Sequence, residues 1–272
     1  MLYLIAVVGC IPFVLPFLWM IRTSLMPIWQ IHIFPPQWWP AEFNWQNFVE
    51  PWSTLPFGLF YRNTILMTLA NVVGAVLSCS LVAYGFSRLR FPGRDVLFVL
   101  VLSTMMLPYH VTLIPQYYLF SRLGWVDTYL PLIVPVWLAG NPFTIFLLRQ
   151  FMLTVSPEIE DAARIDGCGH FATYWRITLP LTRPALGITC IFHFLWNWND
   201  FFAPLIYLNS TDKFPVTLGL AWLQKQGHIG VRMNIVAGPL MAQSLIFLVP
   251  VLLVFYLAQK YMVRGIVLTS FR

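Results

Sequence analysis

The residues of this chain that could do chemistry are few, and they fall in two places. One is the segment from Pro157 to Pro180, which holds Glu158, Glu160, Asp161 and Asp166, four of the ten carboxylates. The other is Asp200, within Trp196-Asn197-Trp198-Asn199-Asp200-Phe201-Phe202, a carboxylate inside an otherwise apolar run. Neither comes with the neighbours that bond-breaking chemistry needs. The three lysines, Lys213, Lys225 and Lys260, are never followed by Ser or Thr, which excludes a Walker A phosphate loop. There is no His-Glu-x-x-His zinc pattern, no Gly-x-Ser-x-Gly elbow and no Cys-x-x-Cys. The polar groups are therefore expected to bind, position or transmit, with no metal ligands among them.

The elements that position these groups are set by hydropathy. Of the 272 residues, 59% are hydrophobic and 10% charged, and the mean hydropathy is +0.73. A soluble domain carries about 25% charged residues, so this composition belongs in a bilayer. A net charge of +6 arises from 16 basic and 10 acidic residues. No basic cluster with interleaved aromatics accompanies it, so a nucleic-acid partner is not expected and topology explains the charge better. Cys10, Cys79, Cys168 and Cys190 form no close pairs and read as small packing residues.

Crossing about 30 Å of hydrocarbon takes roughly 20 apolar residues, and charge-free runs of that size predict six helical spans. The first is residues 1–21, retained rather than cleaved because it lacks a basic leader and a small-residue cleavage site. Residues 23–41, rich in Pro, Gln and Trp, predict an interfacial loop, where Trp38 and Trp39 suit an aromatic belt. The second span lies between Arg62 and Arg88. The third starts at Val96 and is interrupted at Pro108 and Pro115. The fourth covers residues 128–148, bent at Gly140-Asn141-Pro142. The fifth runs from about Pro184 to Leu208 and contains Asp200, and the sixth fills residues 233–259 before a basic tail. Six spans put both termini on one side. If that side is the cytoplasm, its segments hold ten basic residues, including Arg88, Arg90, Arg94, Arg149 and Arg164, against six on longer opposite loops. That asymmetry obeys the positive-inside rule and turns residues 149–183 toward the cytoplasm.

Polar groups caught inside spans are the candidates for a solute pathway. They are Asn197, Asn199 and Asp200 in the fifth span, Asn141 in the fourth, His110 in the third and Gln243 in the sixth. A carboxylate at membrane depth is costly enough to suggest function. For the others, hydrogen bonding between helices is the plainer reading, worth about 0.6 kcal/mol each.

The segment from 157 to 180 reads as two short helices around a turn. Ser156 can cap the first, Pro157 suits its first turn, the acidic residues sit at its positive end, and Gly167 stops it. Ile159, Ala162 and Ala163 would share a face on which small residues allow close approach. The spacing Asp161-Ala162-Ala163, three residues, Gly167, nine residues, Ile177-x-Leu179-Pro180 resembles the "EAA" loop of permease subunits of ABC importers. Asp161 departs from the family's usual Glu, keeping the charge with one methylene less reach.

Further likeness to the carbohydrate branch, of the maltose and glycerol-3-phosphate type, lies in Phe91-Pro92-Gly93, Met105-Met106-Leu107-Pro108, Leu123-Gly124, Trp198-Asn199-Asp200-Phe201 and Val263-Arg264-Gly265. The resemblance implies an all-α, six-span type I importer fold, one permease domain over 1–272, in a bacterial inner membrane. Residues 156–180 would form its cytoplasmic coupling loop. Glu160, Asp161, Ala162, Ala163, Gly167, Ile177, Leu179 and Pro180 would serve contact with an ATPase. The implied partners are a second permease subunit forming a heterodimer, two ATPase subunits holding ATP and Mg, an extracytoplasmic solute-binding protein, a sugar, and membrane lipid. No cofactor is expected on this chain itself. Two alternatives share parts of this plan: an ABC permease for polyamines or another non-sugar solute, and a self-sufficient secondary carrier.

Overall fold

The computed structural model describes residues 2–228 and 237–267. The first residues of the predicted sixth span, 233–236, the end of the loop before it and residues 268–272 of the basic tail lie outside the described residues, as do the side chains from Lys260 onward. Among the described residues every regular element is a helix. In chain order these are α1 (Leu2–Leu25), α2 (Ile28–Ile31), α3 (Gln46–Thr54), α4 (Phe57–Arg88), α5 (Arg94–Ser103), α6 (Tyr109–Arg122), α7 (Leu130–Trp137) and α8 (Pro142–Thr154). They continue with α9 (Pro157–Ile165), α10 (His170–Thr173), a π-helical turn (Tyr174–Thr178), α11 (Leu179–Leu181), α12 (Arg183–Trp198), α13 (Phe202–Tyr207), α14 (Val216–His228) and α15 (Ala237–Val267). Among the described residues, four stretches are long and apolar enough to cross a membrane: Val7–Leu25, Phe57–Arg88, Leu130–Thr154 and Ala237–Gln259. The pair Arg94–Met106 and Tyr109–Arg122, bent by 101°, makes a fifth if taken as one span.

The breaks have local causes. Pro108 offers no N–H and pushes Leu107 into extended backbone, at φ −79° and ψ 117°, which parts α5 from α6. Pro142 starts α8, whose first turn is capped by the Asn141 side chain accepting the Thr144 N–H at 2.9 Å. The predicted fifth span divides into α12 and α13, with Asp200 in the gap.

The chain forms two compact units. The first comprises Met1–Asn63 and Phe214–Leu253. Here α1 runs one turn beyond the predicted Ile21, because Arg22 stacks over the Trp19 ring at 4.3 Å and donates from Nε to the Gln37 carbonyl at 2.6 Å. Asn47, which is buried, donates to the carbonyls of Ser24 and Met26. The predicted loop after Leu208 contains the 13-residue helix α14, held by burial of Val216, Leu218 and Leu223 and by Asn63 donating to the Phe214 carbonyl at 3.1 Å.

The second unit comprises Thr64–Lys213 and Val254–Arg272. Its core gathers Cys79, Ala83, Tyr84, Phe98, Ile145, Leu148, Met152, Tyr174 and Ala185. Helices α4 and α7 approach closely at Gly74, where a Cβ would lie 2.6 Å from the Trp137 ring. That closeness lets Trp137 Nε1 donate to the Ala70 carbonyl at 3.1 Å and Ser78 Oγ donate to the Val136 carbonyl at 2.8 Å. Small residues allow such backbone approach in membranes generally.

Candidate functional site

Helix α9 is built as its sequence predicts and held in a way it does not. Ser156 Oγ accepts the Glu158 N–H at 3.3 Å, with Pro157 in the first turn. At the other end Gly167, at φ +86°, donates to the Arg164 carbonyl at 3.0 Å, and Cys168 donates to the Ala163 carbonyl at 2.9 Å. This pair of bonds is the Schellman stop, which needs a left-handed residue that only glycine adopts without cost.

Glu160 points inward and is 2% exposed. Its Oε1 accepts from Arg88 Nε and from Thr178 Oγ1, both at 2.8 Å. Arg88, from the last turn of α4, also donates from Nη2 to the carbonyls of Met152, in the last turn of α8, and of Val155, just after it, at 2.7 and 2.8 Å. One guanidinium thus ties together α4, the α8–α9 junction and α9, and the wide π turn brings Thr178 to the same oxygen. The predicted contact face divides as a result. Ala163, three residues after Glu160, is drawn inward and buried, while Ile159, Asp161 and Ala162 remain outside. Ile165, Phe171 and Trp175 add an exposed apolar patch beside them. Ile177, Leu179 and Pro180 are half-buried, Leu179 against the core. A cavity of about 850 Å³ lies between α9 and the 87–94 loop, lined by Arg88, Arg90, Arg94, Arg164, Glu160 and Asp161 among others. The arrangement is that of a rigidly backed surface helix.

The pathway candidates fall into three groups. Asn197 accepts from Asn71 Nδ2 at 2.6 Å and donates to the His193 carbonyl at 2.7 Å. His193 in turn meets Thr144 Oγ1 at 2.9 Å, and Thr144 is the residue capped by Asn141. Asn141 and Asn197 therefore belong to one polar string joining α4, α8 and α12. Asn199 donates back to Leu195 at 2.8 Å and is exposed. Asp200 and His110 form the second group. Asp200 Oδ1 accepts the Ala203 N–H at 3.2 Å across the α12–α13 gap, and the His110 ring lies 5.3 Å from that of Phe202. The two helix breaks, at Pro108 and at Asp200, thus face one another. Irregular backbone at membrane depth is tolerated where protein or a water-filled cavity satisfies it. Gln243, in the first unit, is fully buried and donates to the Phe48 carbonyl at 3.2 Å.

Residues that sequence reasoning passed over are Arg88, which it counted only as a marker of topology, and Thr178, Asn71, Thr144 and His193. A basic residue ending an apolar span is the signal that fits many roles, and nothing in its spacing distinguishes a buried pin from a charge left in solvent.

Comparison with known proteins places the chain. YurM of Bacillus subtilis (strain 168), a probable ABC transporter permease protein, is 33% identical over 97% of this chain and 84% of its own length. AraQ of Halalkalibacterium halodurans, an arabinooligosaccharides transport system permease protein, is 32% identical over 84% of this chain and 79% of its own. A chain in the crystal structure of a bacterial ABC transporter involved in import of the acidic polysaccharide alginate has the same fold, with a TM-score of 0.83 over 95% of this chain and 94% of that one, at 22% identity. Residues 70–268 match the family described as binding-protein-dependent transport system inner membrane component, and the chain belongs to that family.

Proposed function

We propose that this chain is one half of the translocation pathway of an ATP-driven sugar importer. It would be a six-span permease domain over residues 1–272, with α12 and α13 together as the fifth span and both termini in the cytoplasm. The observation that carries the reading is α9: a short, doubly capped helix fixed from behind through Glu160, with Ile159, Asp161, Ala162 and Ile165 presented outward. Exposed apolar side chains on a charged loop mark a protein contact. Within 156–180, α9 serves as the coupling helix. Asp161, Ala162 and the turn at Gly167 meet the ATPase, while Glu160, Ala163, Ile177, Leu179 and Pro180 hold the helix to the bundle. A rigid backing lets a push on α9 move α4 and α8 as a body. The engine, with ATP and Mg, belongs to two ATPase subunits, and a second permease subunit completes the pathway. A solute-binding protein delivers the substrate from outside. The family's dependence on a binding protein supports that delivery, and the arabinooligosaccharide relative supports a carbohydrate. The polar string and Asp200 are candidates for the solute path.

The test is affinity purification of the tagged chain from native membranes, with mass spectrometry and an ATPase assay on the eluate. Recovery of a second permease and a Walker-type ATPase, cross-linking to a cysteine at Ala162, is the expected result. A chain that purifies alone and moves a solute unaided in liposomes overturns it.

A further inference from the structure

Beside the end of α1 lies a cavity of about 440 Å³ that the transport reading does not use. Leu18 and Ile21 of α1 form one wall and Trp38, Trp39 and Phe43 the other, and of the residues lining it Arg22 alone is charged. The loop wall is fixed. Gln30, 1% exposed, donates to the Trp39 carbonyl at 2.9 Å and accepts the Ala41 N–H at 2.8 Å, which fixes the loop. Trp38 packs edge-on against Trp19 at 5.9 Å, and Trp19 carries the Arg22 guanidinium on its face.

Arg22 is only 6% exposed, and its hydrogen bonding is incomplete. Nε is used by Gln37, whereas Nη2 is buried with no hydrogen-bond partner among the described residues. A charged donor left buried without an acceptor is costly, so the site calls for an oxygen that this unit does not supply. The planar guanidinium fork matches phosphate oxygens in particular. Around it the walls are apolar, and Trp38 and Trp39 are exposed at the mouth, the amphipathic rings favoured at headgroup depth. The volume falls within the range of ligand sites.

We propose that this cavity binds one anionic phospholipid, its phosphate taken by the Arg22 guanidinium as that group turns into the cavity, and an acyl chain against Leu18, Ile21 and Phe43. A free anion would use the guanidinium and leave the apolar walls bare. An uncharged lipid would fill the walls and leave the donor unpaired.

The tagged chain, with the subunits that accompany it, is extracted in nonionic detergent, loaded with phosphatidylglycerol or phosphatidylcholine, and read by native mass spectrometry. The expected result is retention of one phosphatidylglycerol, about tenfold preferred over phosphatidylcholine, a difference of about 1.4 kcal/mol. Arg22→Gln abolishes the preference and Arg22→Lys keeps part of it. Leu18→Trp, which fills the cavity and spares the guanidinium, lowers retention and serves where Arg22→Gln fails to accumulate. Equal retention of the two lipids, or retention unchanged by Arg22→Gln and Leu18→Trp, overturns the proposal. Displacement by inorganic phosphate with indifference to Leu18→Trp replaces it with a plain anion site. Quantitative cross-linking of a cysteine at Trp39 to another polypeptide replaces the lipid with a protein occupant.

Discussion

Arg88 Nε lies 2.8 Å from Glu160 Oε1, and both side chains are buried, at 8% and 2% exposure. A buried pair of this kind adds little over a well-packed apolar pair, but losing one partner strands the other's charge. Here the pair does more than neutralise, because Arg88 also occupies the two carbonyls at the α8–α9 junction and Glu160 also takes the Thr178 hydroxyl. Arg88→Ala is therefore expected to cost about 3–5 kcal/mol. Glu160→Gln, which keeps an acceptor for Thr178 and leaves Arg88 its carbonyls, is expected to cost about 1–3 kcal/mol. Thermal aggregation midpoints of the purified chain in detergent check the order. Equal, negligible shifts in both variants would show that the pin is not structural.

The stop of α9 gives a graded series. No atom lies within 4 Å of a Cβ built on Gly167, so substitution there reports backbone conformation without crowding. Gly167→Asn, which tolerates the left-handed region, should be nearly silent, and Gly167→Ala should cost about 1 kcal/mol. Gly167→Pro cannot reach φ +86° and loses the N–H bonded to Arg164, at about 3 kcal/mol or more. Uptake per inserted complex should fall in that order, and Pro should abolish it. A proline variant with normal uptake refutes the assignment of α9 as the coupling helix.

The two alanines of the loop are expected to separate folding from docking. Ala163 is buried beside Glu160, so Ala163→Asp adds a second carboxylate to a dry site and should lower the amount of chain that accumulates. Ala162 is exposed, so Ala162→Asp should accumulate normally and lose its ATPase. Quantitative immunoblotting with co-purification distinguishes the two, and identical behaviour would mean that the faces are wrongly divided.

Much of this was legible in the residues. Charge-free runs located the long helices, and Pro108, Asn141-Pro142 and Gly167 marked the breaks and stops, because each acts on its own backbone or on that of the next few residues. The two short helices and the turn between 157 and 180 were legible through their caps and spacing. What periodicity could not reveal was direction. The side chains of Ile159, Ala162 and Ala163 share a helical face on any wheel, and only a partner 72 residues away, Arg88, decides how far that face rolls inward. Likewise α14 was hidden because its buried Val216, Leu218 and Leu223 sit in a polar-flanked run too short for a span.

Asp200 separates a cap from a solute ligand. Its carboxylate accepts the Ala203 N–H at 3.2 Å, a bond that Asp200→Asn retains and Asp200→Leu loses. Asn in place of Asp should leave assembly intact, and a changed substrate affinity in that variant assigns Asp200 to the pathway. Leu should reduce assembly by the loss of a cap, about 1 kcal/mol. If Asn impairs assembly as much as Leu, the charge itself is structural and Asp200 leaves the pathway. Solute-dependent ATPase titrations on the purified complex measure the first outcome, and gel filtration the second.

Asp127 carries the pH dependence. It adopts φ +60° between α6 and α7, accepts the N–H groups of Asn209 and Ser210 at 2.9 Å each, and pairs with Lys213 at 2.9 Å. The Ser210 hydroxyl, then Lys213 and the two amides, hold its carboxyl well below the usual carboxylate range. A depressed value means that the folded chain favours the ionised form. The stabilisation is therefore fully present above the unfolded value, about 4, and is lost as pH falls toward the folded one. Asp127→Asn should lower thermal stability at pH 7 by about 1–2 kcal/mol, since the charge-assisted bonds weaken at a partly exposed site. The gap between variant and parent should close as the pH is taken down through 4 and below. Melting curves of the purified chain across that range check it: a gap that stays constant with pH would show that the ionised carboxylate is not what binds the α6–α7 turn to the loop after α13.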